Sequence, residues 1–309
     1  MSKASERTTQ TIARLREEKP VLKGLIDAFE PIWLAQRQEV DRLQEQFALH
    51  SMDLPARDPQ RFSQGVSLLT GGDLAPLWPF ARECSASLLQ HFASNSQLLP
   101  KFDAVAAFLE KEQDKAFSND FLRALLDMDD ERMATLVEGS DEERASITFV
   151  CEFLLSTVLK AFTANIAAGE KDPWTLWTQG HCPVCGRLPA MEWLGQPVED
   201  DNNPYLLKGG GRKYLHCGMC GADWKYRRAV CPACGSDKKG VMNIFYATSN
   251  QSEHVAWCSE CKTYCVGLDM RAISPVPDLD VMALGLLPLD IVAAEKELTP
   301  MCRTLWNQL

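Results

Sequence analysis

The sequence predicts an α+β protein, with an all-helical N-terminal domain followed by two small cysteine-rich β modules and a C-terminal helix. Two observations carry that expectation. Apolar residues recur every three or four positions from Val21 to Phe162, the spacing of amphipathic helices. Past Gly169 short apolar runs alternate with turn residues, and four Cys-x-x-Cys pairs fall within the eighty residues from Cys182 to Cys261. The division that follows is 1–172 for the helical domain, 173–225 and 226–272 for the two metal modules, and 273–309 for a linker and C-terminal helix.

Taken in order, residues 1–20 are polar and read as a ragged start. Leu22, Leu25, Ile26 and Phe29 share a helix face, and Pro31 is expected to restart the pattern, which Ile32, Val40, Leu43 and Phe47 continue. Residues 51–65, with Pro55 and Pro59, read as a loop. Asp73 reads as a cap, and Phe80, Cys84, Leu88 and Phe92 then repeat every four residues. Pro100 precedes a face of Phe102, Val105, Phe108 and Leu109, and Phe121, Leu122, Leu125 and Leu126 form the next. The acidic run Asp127–Glu131 reads as a solvated helix end. Ser140 and Glu143 have capping-box spacing ahead of a helix with Ile147, Cys151, Leu154, Leu155, Val158 and Phe162 on one side. Cys84 and Cys151 lie on apolar faces and read as small buried hydrophobes.

Asp172-Pro173-Trp174 closes the helical part. Candidate strands are Leu188–Leu194, Lys213–Leu215, Trp224–Tyr226, Val241–Ala247, His254–Trp257 and Tyr264–Leu268. Gln196 to Arg212 is rich in Pro, Asp, Asn and Gly and reads as a mobile loop. Pro275 and Pro277 mark a linker before the final helical segment, Val281 to Leu298, interrupted by Pro288.

The chemistry is concentrated in Cys182/Cys185, Cys217/Cys220, Cys231/Cys234 and Cys258/Cys261. Gly186, Gly221 and Gly235 follow the first three pairs, and Lys262 follows the fourth. A tight turn that aims two sulfurs at one ion requires positive φ just after the second cysteine, which glycine adopts without strain. Two such knuckles facing each other make a closed tetrahedral S4 site, so the eight cysteines are expected to hold two metal ions. A disulfide framework is disfavoured by an N-terminus without the apolar core of a signal peptide and by a long helical part almost free of cysteine. A thioredoxin-like redox pair would occur once, at a strand-to-helix junction. Pairing the knuckles in sequence order closes the shorter loops and is preferred over a cross-braced arrangement, which stays open. Each sequential unit resembles a rubredoxin-like or zinc-ribbon knuckle pair. Iron and zinc both accept four thiolates, and the spacing does not choose between them. Neither leaves a coordination position for substrate, which argues against metal-centred hydrolysis.

His181 and His216 each precede a knuckle and His254 lies four residues before Cys258, but with eight thiols present a supporting place is expected for all three. Cys265 is expected in strand packing, and Trp224, Tyr226 and Trp257 in a small ribbon core. Cys302 sits in a polar tail and is given no role. There is no G-x-G-x-x-G, P-loop, H-E-x-x-H or G-x-S-x-G motif.

The chain carries a net charge of −10. Leu176 to Ala272 holds eleven Lys/Arg against nine Asp/Glu, a local +2 that leaves −12 elsewhere. Four thiolates around a divalent ion contribute about −2 per site, so the metal region has no basic excess for nucleic acid. No apolar run approaches the ~20 residues that cross a bilayer, and a soluble, cytoplasmic protein is expected.

Lys213-Tyr-Leu-His-Cys217-Gly-Met-Cys220, Asp223-Trp224 and Val230-Cys231-Pro-Ala-Cys234 together resemble the formate dehydrogenase accessory protein FdhE family. Cys182-Pro-Val-Cys185-Gly and Thr263-Tyr264 fit the same pattern, while Lys262 and Cys265 fall outside it and inherit no role. The resemblance implies a non-enzymatic cytoplasmic protein needed for formate dehydrogenase activity, which contacts the catalytic subunit and binds iron through the eight paired cysteines. Two other classes remain: a zinc-ribbon nucleic-acid-binding protein and a rubredoxin-type electron-transfer component.

Overall fold

The computed structural model describes residues 2–49, 58–93, 99–170, 172–195 and 211–308. Helix α1 (Lys3–Glu18) begins at Ser2, whose hydroxyl accepts from the Ser5 N–H at 3.1 Å. Within residues 1–20, expected to be a ragged start, Lys3–Glu18 is therefore a helix. Its buried face is Ser5, Thr8, Thr11, Ile12 and Leu15, a stripe made mostly of hydroxyl-bearing residues, which does not register as apolar. The hydroxyls have partners: Thr8 Oγ1 donates to Asp278 Oδ2 at 2.6 Å, and Thr11 Oγ1 accepts from the Asp278 N–H at 2.8 Å.

Helix α2 (Lys23–Leu49) continues through Pro31, which does not restart it. Ile26 and Phe29 before the proline and Ile32 and Trp33 after it are all buried. Their shared burial outweighs the one hydrogen bond a proline cannot donate. In the expected loop 51–65, α3 (Pro59–Ser63) is a short helix capped by Asp58; residues 51–57 lie outside the described residues. Helices α4 (Trp78–Ala93), α5 (Phe102–Glu110), α6 (Lys115–Asp127) and α7 (Asp130–Leu136) lead to α8 (Asp141–Ile166), which opens with the Ser140/Glu143 capping box. Helices α2, α4, α5 and α6 pack around α8. Leu154, Leu155, Val158 and Leu159 of α8 are fully buried, each contributing about 2 kcal/mol. By length and composition α8 is apolar enough to cross a bilayer, contrary to expectation, yet 67% of its most apolar window is buried within the protein.

Strands β1 (Met191–Leu194), β2 (Lys213–His216) and β3 (Asp223–Lys225) pair antiparallel, as do β4 (Met242–Tyr246), β5 (Glu253–Cys258) and β6 (Thr263–Asp269). In each triplet one knuckle precedes the first strand and another lies between the second and third. The triplets join in one sheet, β3-β2-β1-β6-β5-β4, through parallel pairing of β1 with β6. Of the expected loop 196–212, residues 196–210 lie outside the described residues. The C-terminal helical segment is two helices, α9 (Leu279–Gly285) and α10 (Leu287–Glu295), followed by β7 (Thr299–Pro300) beside the start of β6. Pro288 sits in the first turn of α10, where its missing N–H costs nothing.

Three buried polar residues lie at the seam between the triplets. Glu192 Oε2 is 2.5 Å from Lys213 Nζ, and Glu192 Oε1 is 3.2 Å from His254 Nε2. Burial works to raise the Glu192 carboxyl, and Lys213 and His254 outweigh it, holding its pKa below the ordinary value. The His254 ring crosses over Gly267, where an added Cβ would lie 2.3 Å from Nε2. The sheet docks on the helices through Lys19 to Glu253 at 2.6 Å and the Tyr264 hydroxyl donating to Asp290 at 2.7 Å, while Lys160 of α8 pairs with Asp280 of α9 at 2.9 Å.

Candidate metal centres

The four knuckles share one local geometry. The N–H of the residue after the second cysteine donates to the carbonyl of the first: Gly186 to Cys182 at 3.1 Å, Gly221 to Cys217 at 2.9 Å, Gly235 to Cys231 at 3.0 Å and Lys262 to Cys258 at 3.0 Å. Closing that turn puts the donating residue in the left-handed region, with φ of 84°, 70°, 72° and 60° in the same order. Glycine takes this conformation freely, whereas Lys262 takes it at a cost of about 1–2 kcal/mol. The Lys262 ammonium lies 5.4 Å above the Trp257 ring, which offsets part of that cost.

The pairs come together in sequence order. Cys182, Cys185, Cys217 and Cys220 form one group and Cys231, Cys234, Cys258 and Cys261 the other, with the sulfurs of each group within 4.8 Å of one another. Cys182 to Cys220 is 3.3 Å and Cys185 to Cys217 is 3.4 Å; Cys231 to Cys261 is 3.7 Å and Cys234 to Cys258 is 3.8 Å. Sulfurs about 2.3 Å from a tetrahedral ion stand about 3.8 Å apart, whereas a disulfide is about 2.05 Å. All eight cysteines are free thiols, so the donor set and its spacing fit one ion per group.

The two groups differ in surroundings. All four cysteines of the first are buried, and they belong to the same apolar core as α8. Its first knuckle is stitched to the helical domain: Leu68 N–H donates to Pro183 O and Leu69 N–H to Val184 O, both at 2.9 Å, and Ser67 Oγ donates to Cys182 O at 2.7 Å. Arg187, just past the knuckle, donates to Leu126 O at 2.9 Å and pairs with Glu152. Burial, then hydrogen bonding among the thiols, raises Cys182, while hydrogen bonds from Cys182, Cys185 and Cys220 bring Cys217 well below the usual thiol value. The second group sits in a separate small core with Val241, Cys265 and Met301. Cys231 and Cys258 are buried there, Cys261 is half-buried and Cys234 is exposed. At Cys261 burial is outweighed by the Thr263 hydroxyl and N–H and by Cys258 and Cys234, so its pKa falls to about 7.

Among the described residues no histidine joins either sulfur group. The His181 ring is 3.2 Å from Gly65 O and meets Trp177 edge-on. His216 lies between Asp223 at 3.1 Å and Asp280 at 3.5 Å. Burial opposes its charge, and the two carboxylates outweigh that and lift its pKa to about 10. Cys265 is buried against Pro189 O, and Cys84 and Cys151 are core. Trp224 is buried and donates to Gln179 O at 3.1 Å, Tyr226 is bonded to Cys231 O, and Trp257 carries Lys262.

No family model matches the chain. A protein of Aquifex aeolicus, described as an FdhE homolog, is 28% identical over 145 residues, 47% of each chain. An FdhE homolog of Shewanella baltica is 35% identical over 116 residues, 36% of this chain and 33% of the relative. The matched segments thus span about half and a third of these relatives' own length. The crystal structure of the FdhE protein from Pseudomonas aeruginosa superposes with a TM-score of 0.56 at 19% identity, covering 98% of this chain and 94% of that one. Over the matched segments the chain is similar to FdhE homologs, and it shares the fold of the FdhE crystal structure.

Two features of the chain escape sequence reasoning. Cys302 is buried, with its thiol pushed up to about 12 by burial, because the polar residues around it face outward. It borders a cavity of about 130 Å³ between α8, the second knuckle and residues 302–306, lined also by Phe153, Lys160, Arg187, Gly218 and Trp306. The other is the Glu192–Lys213–His254 seam, whose members are far apart in the chain.

Proposed function

We propose that this protein is a non-enzymatic accessory factor for formate dehydrogenase, acting in the cytoplasm on the catalytic subunit during maturation. The observation that carries this reading is the pair of four-sulfur groups, set in a chain whose relatives are FdhE homologs. Cys182, Cys185, Cys217 and Cys220 hold one ion, and Cys231, Cys234, Cys258 and Cys261 the other. Iron is favoured by the family resemblance, with zinc as the alternative. Four thiolates saturate a tetrahedral ion, so the ion supplies a rigid cross-link or a one-electron couple rather than a site for substrate.

The protein's own residues then make a platform. The first group fastens the sheet to residues 67–69, and Arg187 fastens it to the end of α6. The client is gripped along the helical domain, in the cleft where α8 faces the second knuckle. A pull-down of the catalytic subunit with Cys217→Ser/Cys220→Ser tests this. The expected result is loss of capture and of client activity, with a folded helical domain by circular dichroism. Unchanged capture and activity would remove the metal from the mechanism.

A further inference from the structure

The two sulfur groups are built alike but held differently, and the difference bears on what each can do. In the first group every sulfur is buried, and its knuckle is bonded to residues 67–69 of the helical domain. A residue substituted for Gly218 would bring its Cβ 3.2 Å from Ala190, and one substituted for Gly221 would meet Lys160 at 3.3 Å, so the second knuckle is enclosed as well. Reaching an ion there requires the sheet and the helices to part. In the second group the third knuckle ends in open space. Cys234 and Gly235 are exposed, a Cβ at Gly235 would touch nothing within 4 Å, and residues 237–240 are exposed too. Across the mouth of this group the only ion pair among the described residues is Lys238 with Glu260, and Lys238 is 76% exposed.

We infer that the second group is an exchange site, at which Cys234 is the ligand given up to an incoming thiolate, while the first group is a fixed cross-link. The inference rests on the proposed reading of the eight cysteines as metal ligands. In the step, Cys234 loses its bond to the ion and the sulfur of an incoming thiol takes its place. The proton of that thiol passes to the Cys234 sulfur, and no oxidation state changes. The remaining three sulfurs keep the ion in place while the exchange occurs, because Cys231 and Cys258 are buried and the Cys261 sulfur lies 3.0 Å from the Thr263 hydroxyl.

Such a site suits a partner that presents a cysteine thiol, since only a ligand of the same softness competes with thiolate for the ion. It also gives the protein a point of contact beside β4, the edge strand of the sheet.

The test uses the purified full-length protein with its metal content counted first. Two ions per chain are expected, and a chain without them would overturn the underlying reading instead. With dithiothreitol as the incoming thiol and a chromogenic chelator as acceptor, release is expected in two phases. One ion leaves at least about tenfold faster than the other, at a rate that rises with dithiothreitol. Iodoacetamide added to the loaded protein is expected to label Cys234 before any other ligand, as read by peptide mass spectrometry. Cys234→Ser is expected to abolish the fast phase and leave the slow phase unchanged. A single phase for both ions would overturn the inference. So would labelling of Cys182, Cys185, Cys217 or Cys220 as fast as Cys234, or a fast phase that survives Cys234→Ser.

Discussion

Asp290 is a buried carboxyl whose hydrogen bond comes from a phenol, Tyr264, rather than from a cation. Burial raises its pKa from the ordinary 3.8 to about 6, and the Tyr264 bond offsets only part of that rise. A carboxyl raised on folding binds its proton more tightly in the native state. Its contribution is complete below 3.8 and is lost as pH climbs through about 6. At 1.36 kcal/mol per unit the loss is on the order of 3 kcal/mol. Asp290→Asn, which still accepts from Tyr264, should therefore be more stable than wild type by about 2 kcal/mol at pH 7.5, and the gain should shrink toward pH 4.5. Urea denaturation at the two pH values measures it; a gain independent of pH would mean that Asp290 titrates normally. Single residues also mark the limits of the sequence. The turn geometry of the four knuckles was legible because it is wholly local, and the spacing and positive φ, with a trailing glycine in three of the four, arise within five residues. Cys302 was not, because its burial comes from an α8 cavity wall far away in the chain.

At the scale of elements, α8 and its neighbours follow directly from apolar periodicity and the capping box. Helix α1 was hidden because Thr8 and Thr11 bury hydroxyls against Asp278, a partner that no local pattern announces. The β1/β6 seam was hidden for the same kind of reason. Each strand reads as a short apolar run, but nothing in either says that the two lie side by side. The seam has a sharp steric requirement at Gly267, over which the His254 ring passes to reach Glu192. Gly267→Ala should displace that ring and cost about 2–3 kcal/mol. The double variant Gly267→Ala/His254→Ala should be less destabilised than the sum of the two single changes, because the clash is removed with the ring. Equilibrium unfolding of the four proteins of the cycle decides it, and strict additivity would show that the ring and the glycine do not meet.

For the whole molecule, the two sulfur groups divide the work of holding it together. One lies within the shared core and stitches sheet to helices; the other closes a small core of its own. Losing the first should therefore be felt at a distance. In Cys182→Ser/Cys185→Ser, the amides of Leu68 and Leu69, which donate to Pro183 and Val184, should exchange at least about tenfold faster. In Cys231→Ser/Cys234→Ser those two amides should keep their wild-type protection. Hydrogen exchange followed by mass spectrometry reads both, and equal effects of the two variants would contradict the division.

The parallel pairing of β1 with β6 also sets a timetable. A ribosome extrudes residues 191–194 long before residues 266–269, and the intended neighbour of that strand does not yet exist. Until it emerges, the nascent polypeptide carries an unpaired backbone edge, the feature that recruits other chains into aggregates. A translational stall within residues 230–262 would leave that edge open on every stalled copy, so the last long strand to be made is the one that renders the product safe.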